Sequence, residues 1–181
     1  DLHSFPTRRS SDLEILIRNG EDLAFLSNVV KNSTKYDLDG VEMSYRFVCY
    51  RQVKDIYLNN TSNFANWDDS SVQATLNVFA PIGESSNYFF GQYDGGNHKI
   101  DGLYINSPEK STLGLFGKII NARNKNEAPY KIVDVKISNI KVTNAYIRGN
   151  GGLGIIAGYM QEGAIENCEA YGKVIGSNNN I

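Results

Sequence analysis

GLGIIAGYMQEGAIENCEAYGKVIG, residues Gly152–Gly176, decides the fold. It holds two short apolar runs bounded by glycine. The first is Leu153 to Ala157. The second alternates, with Ile165, Cys168, Ala170 and Val174 apolar or small and with Asn167 and Gly172 at the bends. Glycine recurs too often for a helix, and the period is near two, so the stretch reads as strands and tight turns.

Outward from this stretch, two upstream segments align with its second run without gaps. Ile100-Asp-Gly-Leu103-Tyr-Ile105, Ile132-Val-Asp-Val135-Lys-Ile137 and Ile165-Glu-Asn-Cys168-Glu-Ala170 start 32 and 33 residues apart. Positions one, four and six are apolar or small. Position three is Gly102, Asp134 or Asn167, residue types that tolerate left-handed backbone. A period of this size marks a solenoid, in which each coil buries its apolar face only by stacking on the next. The expected register puts Ile100, Ile132 and Ile165 in one inward column, with Asp134 over Asn167 as a turn ladder. Leu113 to Ile120, Ile140 to Ile147 and Leu153 to Ala157 supply the strands between, and the polar insert 121–130 bulges from a corner.

The rest of the chain accords with this. Its 181 residues suffice for one core, and 41% apolar with 21% charged content is ordinary for a globular domain. A net charge of −2 gives no nucleic-acid footprint, and no apolar run is long enough to insert in a membrane. Seventeen glycines and eleven tyrosines favour many short strands. Cys49 and Cys168 read as small buried hydrophobes, although a bridge between them stays open.

Residues 1–13, DLHSFPTRRSSDL, look like a translated sequencing adapter and are set aside as non-native. Residues 14–60 read as an N-terminal cap. Ile15-Leu16-Ile17 is a strand; Asn19 to Asp22 is helix-start chemistry; Leu23, Leu26, Val29 and Val30 fall at helical spacing over about 20–31. Tyr45, Phe47 and Cys49 alternate as a strand, and Val53, Ile56 and Leu58 form another. Residues 61–98 are a loop-rich first coil, with a long irregular segment to Glu84 and a turn at Asp94-Gly95. Residues 99–181 are the repeat coils, expected to be open at the C-terminal end and to continue after Ile181.

The order KDIYLN, APIG, FFGQYDGGNHKIDGLYI, GLFG, GLGIIAGY and IENCEAYGKVIG resembles bacterial surface and adhesin-like proteins carrying the Gly-Leu-hydrophobic-Gly (GLUG) motif. That motif also occurs beside the metallopeptidase domain of immunoglobulin A peptidases. Gly114-Leu115-Phe116-Gly117 matches it literally, and the resemblance spans residues 14–176. It departs from the usual pattern between Trp67 and Pro81. The resemblance implies a mostly β fold, a right-handed parallel β-helix with one N-terminal capping helix, on a secreted or cell-surface protein, and no catalytic residues in this region.

Residue chemistry points the same way. His98 stands near Asp94 and Asp101 without a nucleophile in a matching turn, and one histidine cannot build a zinc peptidase site. Asp134 and Glu166 occupy unequal repeat positions and are not expected to converge as a glycosidase pair. No cofactor and no metal is expected: Asp68 and Asp69 lack a regular calcium loop. The candidate ligand contact is Trp67, Asp68 and Asp69, an aromatic ring beside two acids in a polar loop. The competing reading, favoured by the residue type, has Trp67 folding back as core. The expectation is a non-catalytic structural and adhesive module contacting host or matrix glycan or protein. A fragment of a carbohydrate-active β-helix enzyme and a spacer of a surface peptidase are the alternatives.

Overall fold

A computed structural model of the chain describes residues 14–38, 41–84, 86–121 and 134–177. The 1–13 segment, the insert and Ile132 lie outside the described residues.

The protein is mostly β, and its sheets are parallel apart from one hairpin. The first sheet contains β1 (Glu14–Ile17), β4 (Cys49–Gln52), β6 (Gln92–Asp94), β10 (Lys136–Ser138) and β13 (Ala164–Glu166), in that spatial order. The second runs β14 (Glu169–Gly176), β11 (Lys141–Gly149), β7 (Lys99–Asp101), β5 (Ile56–Tyr57), and β8 (Tyr104–Asn106) also pairs with β11. The third joins β9 (Phe116–Ile120) to β12 (Ala157–Gln161). The hairpin is β2 (Lys35–Leu38) against β3 (Val41–Ser44).

Parallel partners cannot be joined by a tight turn, so the chain visits the sheets in rotation before returning to each. Sheet order therefore skips along the sequence. Tyr50, Tyr93, Ile137 and Ile165 face one another in the first sheet, and Ile56, Ile100, Val142 and Ala170 in the second. The core lies between these inward columns, where Tyr50, Tyr93, Ile137, Ile100 and Val142 are at most 1% exposed.

This register corrects the expected one. Ile100 and Ile165 belong to different sheets, and Ile165 is 39% exposed. The segment that pairs with Ile165-Glu-Asn-Cys168-Glu-Ala170 is Ile137-Ser-Asn-Ile140-Lys-Val142, 28 residues earlier. At its corner Asn167 Nδ2 donates to Asn139 Oδ1 across 28 residues of chain, and Asn139 Nδ2 donates to Asp94 Oδ1 across 45. Asn139 and Asn167 both hold left-handed backbone, with φ of 55° and 52°. The ladder is therefore Asp94–Asn139–Asn167, not Asp134 over Asn167. The spacing between paired strands varies, with β6 and β10 starting 44 residues apart and β10 and β13 starting 28 apart, so a fixed period of about 32 matches sequence without matching space.

The glycine motif marks a second corner. Ile82 bridges to Phe116, Phe116 pairs with Ala157, and each is followed by glycine. A Cβ on Gly117 would lie 2.3 Å from the Gly83 carbonyl oxygen, and one on Gly158 would lie 2.5 Å from the Leu113 nitrogen. Only glycine lets these backbones stack so closely.

α1 (Gly20–Asn32) forms as its caps dictate. Asn19 Oδ1 accepts from the Asp22 amide at 2.9 Å, Glu21 and Asp22 face the positive end, and Ser33 ends the helix at φ 51°. It buries Leu23, Leu26, Val29 and Val30 in the main core beside β1, and Ser27 Oγ donates to the Pro81 carbonyl at 2.9 Å. Two local expectations change. Tyr45–Phe47 is a 3-10 turn, so the strand begins at Cys49. The long segment after Thr61, read as irregular, carries a 3-10 turn at Phe64–Asn66 and the short α2 (Ser70–Gln73).

Candidate functional site

The side chains that alternate with the inward column of the second sheet point to solvent. Beside buried Ile56, Ile100 and Val142 stand Tyr57, Asp101 and Thr143, in register across β5, β7 and β11. Tyr171 follows Ala170 on β14 opposite the β11 bulge, and its ring stands beside Lys141 on the same face. Tyr57 is 63% and Tyr171 56% exposed, while Asp101 between them is buried.

Asp101 is fixed from three directions. Its Oδ1 accepts from Thr143 Oγ1 at 2.6 Å and Asn144 Nδ2 at 2.8 Å, and its Oδ2 accepts from Thr61 Oγ1 at 3.1 Å. Asn144 reaches it because β11 bulges there, with Asn144 at φ 49°. Burial pushes the Asp101 carboxyl up, but hydrogen bonds from Thr143, Asn144 and Thr61 and the Lys99 charge outweigh it and hold it below the usual carboxylate range.

Tyr57, Asn59, Asn60, Asn77 and Asp101 line an open groove of about 470 Å³. Its floor is rigid. Asn59 Nδ2 donates to the Gly102 and Asn77 carbonyls at 2.9 and 3.0 Å, and Asn59 Oδ1 accepts from the Asn77 amide at 2.7 Å. Lys99 Nζ lies 4.7 Å from the Tyr57 ring centre, and Lys141 Nζ 5.6 Å from that of Tyr171. Lys141 also pairs with Glu169 at 2.9 Å; that hydrogen bond and charge raise the ammonium pKa and lower the carboxyl's.

Trp67, Asp68 and Asp69 do not form such a surface. Trp67 is 0% exposed, in a satellite cluster with Tyr104 and Tyr146 flanked by Phe64, Val72, Leu76 and Ile175. Its ring meets Tyr104 edge-on at 5.7 Å and Phe64 at 5.0 Å, so neither face is open to a sugar. This corrects the exposed-aromatic reading. Phe64 to Leu76 lies over the outer face of β8 and β11, and the wrapped segment buries the indole. Asp68 is an exposed partner of Lys173 at 2.6 Å, and Lys173 holds its carboxyl below the usual range. Asp69 caps α2, accepting from the Ser71 amide at 2.8 Å, and the Ser71 bonds lower its pKa.

The remaining candidates are placed as follows. His98 Nδ1 faces Asp55 Oδ1 at 3.3 Å, and Asp55 also accepts from the Lys99 amide. Asp134 and Glu166, expected to lie apart, line one cleft of about 510 Å³ with Glu162 and Lys136. They line it because β10 and β13 are adjacent, but the register sets Glu166 opposite Ser138, four residues along from Asp134. Glu166 is engaged by Lys136 at 2.7 Å, and Asp134 accepts from Asn121 Nδ2 at 3.2 Å. Cys49 and Cys168 are half-buried and not bridged to each other; Cys49 Sγ donates to Gln92 Oε1 at 3.3 Å, and burial pushes its thiol up. Among the described residues no group of three His, Cys, Asp or Glu side chains could hold a metal, and no helix is long and apolar enough to cross a membrane.

Sequence reasoning missed Tyr57 and Tyr171 as exposed rings and Asp101 as the buried carboxylate between them. The signal was the alternation itself: Ile56 then Tyr57, Ile100 then Asp101. Without the register, nothing tied these distant pairs together.

No family model and no solved structure matches the chain. It is similar to Halomucin of Haloquadratum walsbyi, at 29% identity over 132 residues. The match covers 71% of this chain and 1% of that protein's length.

Proposed function

We propose that the chain is a non-catalytic structural and adhesive module of a secreted or cell-surface protein, built as a right-handed parallel β-helix. The observation that carries the architecture is the shared register of the three parallel sheets. A chain that returns to each sheet one coil later, with Asp94, Asn139 and Asn167 stacked at one corner, advances as a helix of coils. Parallel crossovers are right-handed in nearly all proteins. α1 covers one end. At the other, Ile165 and Val174 are 39% and 46% exposed, whereas Ile137 and Ile147 beneath them are 0% exposed. That face suits a further stacked coil.

The adhesive reading rests on the row Tyr57–Asp101–Thr143–Tyr171, two exposed rings flanking fixed polar groups on a sheet. The similarity to Halomucin is compatible with a cell-surface place, as is the GLUG resemblance. The module would contact matrix or host glycan, or protein, and work by multivalent attachment through repeated coils. Beads carrying the chain should be retained on a glycoprotein-coated surface and not on an albumin-coated one. Equal retention on both overturns the reading.

One observation favours a second reading, a fragment of a carbohydrate-active enzyme: Asp134, Glu162 and Glu166 share a cleft. New reducing ends or unsaturated uronate from a polysaccharide incubated with the chain, lost in Glu166→Gln, would favour it over the first.

A further inference from the structure

We infer that the outer face of the second sheet, from Tyr57 across Asp101 and Thr143 to Tyr171, is a binding site for a neutral oligosaccharide. This rests on the adhesive reading above and gives it a site and a ligand class.

The argument begins with spacing. β5, β7, β11 and β14 are consecutive neighbours, so the two exposed tyrosines lie three strand spacings apart, about 14 Å. That span suits a short chain of sugars rather than one ring. The tyrosines form the ends: each offers an exposed aromatic face to the C–H face of a pyranose, and the Tyr171 hydroxyl donates to Glu169 Oε2 at 3.3 Å. At the Tyr57 end the groove supplies groups that match vicinal hydroxyls. A side-chain amide both donates and accepts. Asn60 and Asn77 provide both kinds in one place, held by the Asn59 bonds and beside the buried Asp101 carboxylate.

Preorganisation is the second strand of the argument. Asp101 is held by Thr143, Asn144 and Thr61, and Asn59 by Gly102 and Asn77, so binding would order few side chains. Tyr57 and Tyr171 are each steadied by a lysine ammonium.

Charge selects the class. Lys141 is matched by Glu169, His98 faces Asp55, and Lys99 acts on the Asp101 carboxylate. The face therefore sets Lys99 and Lys141 against Asp55, Asp101 and Glu169 and has no net positive field to attract a polyanion. A neutral ligand fits; a uronate or sulfated chain would meet Asp101 and Glu169.

The test titrates the isotope-labelled full chain with cellohexaose, maltohexaose and chitohexaose, and with a hexagalacturonate arm, following backbone and side-chain amide NMR signals. Saturable shifts at Tyr57, Asn60, Asn77 and Tyr171 are expected with at least one neutral sugar. Tyr57→Ala and Tyr171→Ala should each weaken it at least tenfold with the remaining spectrum unchanged. Phe25→Ala, an exposed ring on α1, should not. No shift on this face with any neutral sugar overturns the inference, as does unchanged affinity in the double tyrosine variant. Tighter binding of hexagalacturonate overturns the neutral class. If double-variant beads are retained on glycoprotein as well as the parent, the site is wrong and the adhesive reading stands. If parent beads are not retained, the adhesive reading fails while the titration still judges the site.

Discussion

Asn139 Nδ2 donates to Asp94 Oδ1 at 2.9 Å although 45 residues separate them. Asp94 Oδ1 also accepts from the Gly96 amide at 2.9 Å, so one carboxylate oxygen ties a turn to the coil stacked on it. Asn139 holds φ 55°, which a residue without a local polar side chain adopts at a cost. Asn139→Ala should lose the bond and bear that cost, destabilising by about 2 kcal/mol; Asn139→Gly, which keeps the backbone, should lose about 1 kcal/mol. Denaturant midpoints at constant slope check the ordering. Equal midpoints for parent and alanine variant would show that the corner bears no load.

Gly117 sits where a methyl group would press into the Gly83 carbonyl oxygen. Gly117→Ala should cost at least about 2 kcal/mol, because backbone on both sides must move. Gly176, with nothing within 4 Å of an added Cβ, is the internal control and should tolerate alanine. The two thermal melts, run side by side, decide this.

Trp67 is the chain's single tryptophan, so its fluorescence reports one place. Buried among Phe64, Tyr104 and Tyr146, it should emit to the blue of free tryptophan, resist iodide quenching, and shift red on unfolding. Adding an oligosaccharide should leave it unmoved. Trp67→Ala should cost about 3–5 kcal/mol. The indole Nε1 has no partner among the described residues, so Trp67→Phe loses no hydrogen bond and should cost less than about 1.5 kcal/mol.

Asp101 gives a pH dependence with a definite sign. Its folded pKa lies below the unfolded one, near the ordinary aspartate value of about 3.9. The folded state therefore binds the proton less readily than the unfolded state. Its stabilisation is complete above about pH 4 and fades as pH falls through the folded value. Asp101→Asn should lower stability at pH 7 and flatten the decline below about pH 4. Unfolding midpoints from pH 7 to 2 for both proteins test this; an unchanged acid limb would contradict it.

How much of this was legible in sequence can be traced to particular residues. α1 was readable because its signals are local: Asn19 as cap, acids in the first turn, an apolar stripe at Leu23, Leu26, Val29 and Val30. The β character of Gly152–Gly176 was equally local, and so were the bends at Gly102 and Asn167. The register was not, because stacking depends on where each coil returns. An insert in one coil shifts every partner that a fixed period would name. Ile137-Ser-Asn-Ile140-Lys-Val142 was the better match to Ile165-Glu-Asn-Cys168-Glu-Ala170, with asparagine at both corners, but it overlapped the segment chosen instead. Trp67 was ambiguous for another reason. A polar flank of Asp68 and Asp69 looks like a surface, yet both acids serve nearby bonds while the ring turns inward. The Tyr57–Tyr171 face needed the register first.

The measurement closest to the central claim is the pattern of long-range proton contacts between coils. In methyl- and aromatic-resolved NOE spectra, Ile137 should contact both Tyr93 and Ile165, and Val142 should contact Ile100 and Ala170. Direct contact between Ile100 and Ile165, with none between Ile137 and Ile165, would contradict the stacking on which both the fold and the binding face depend.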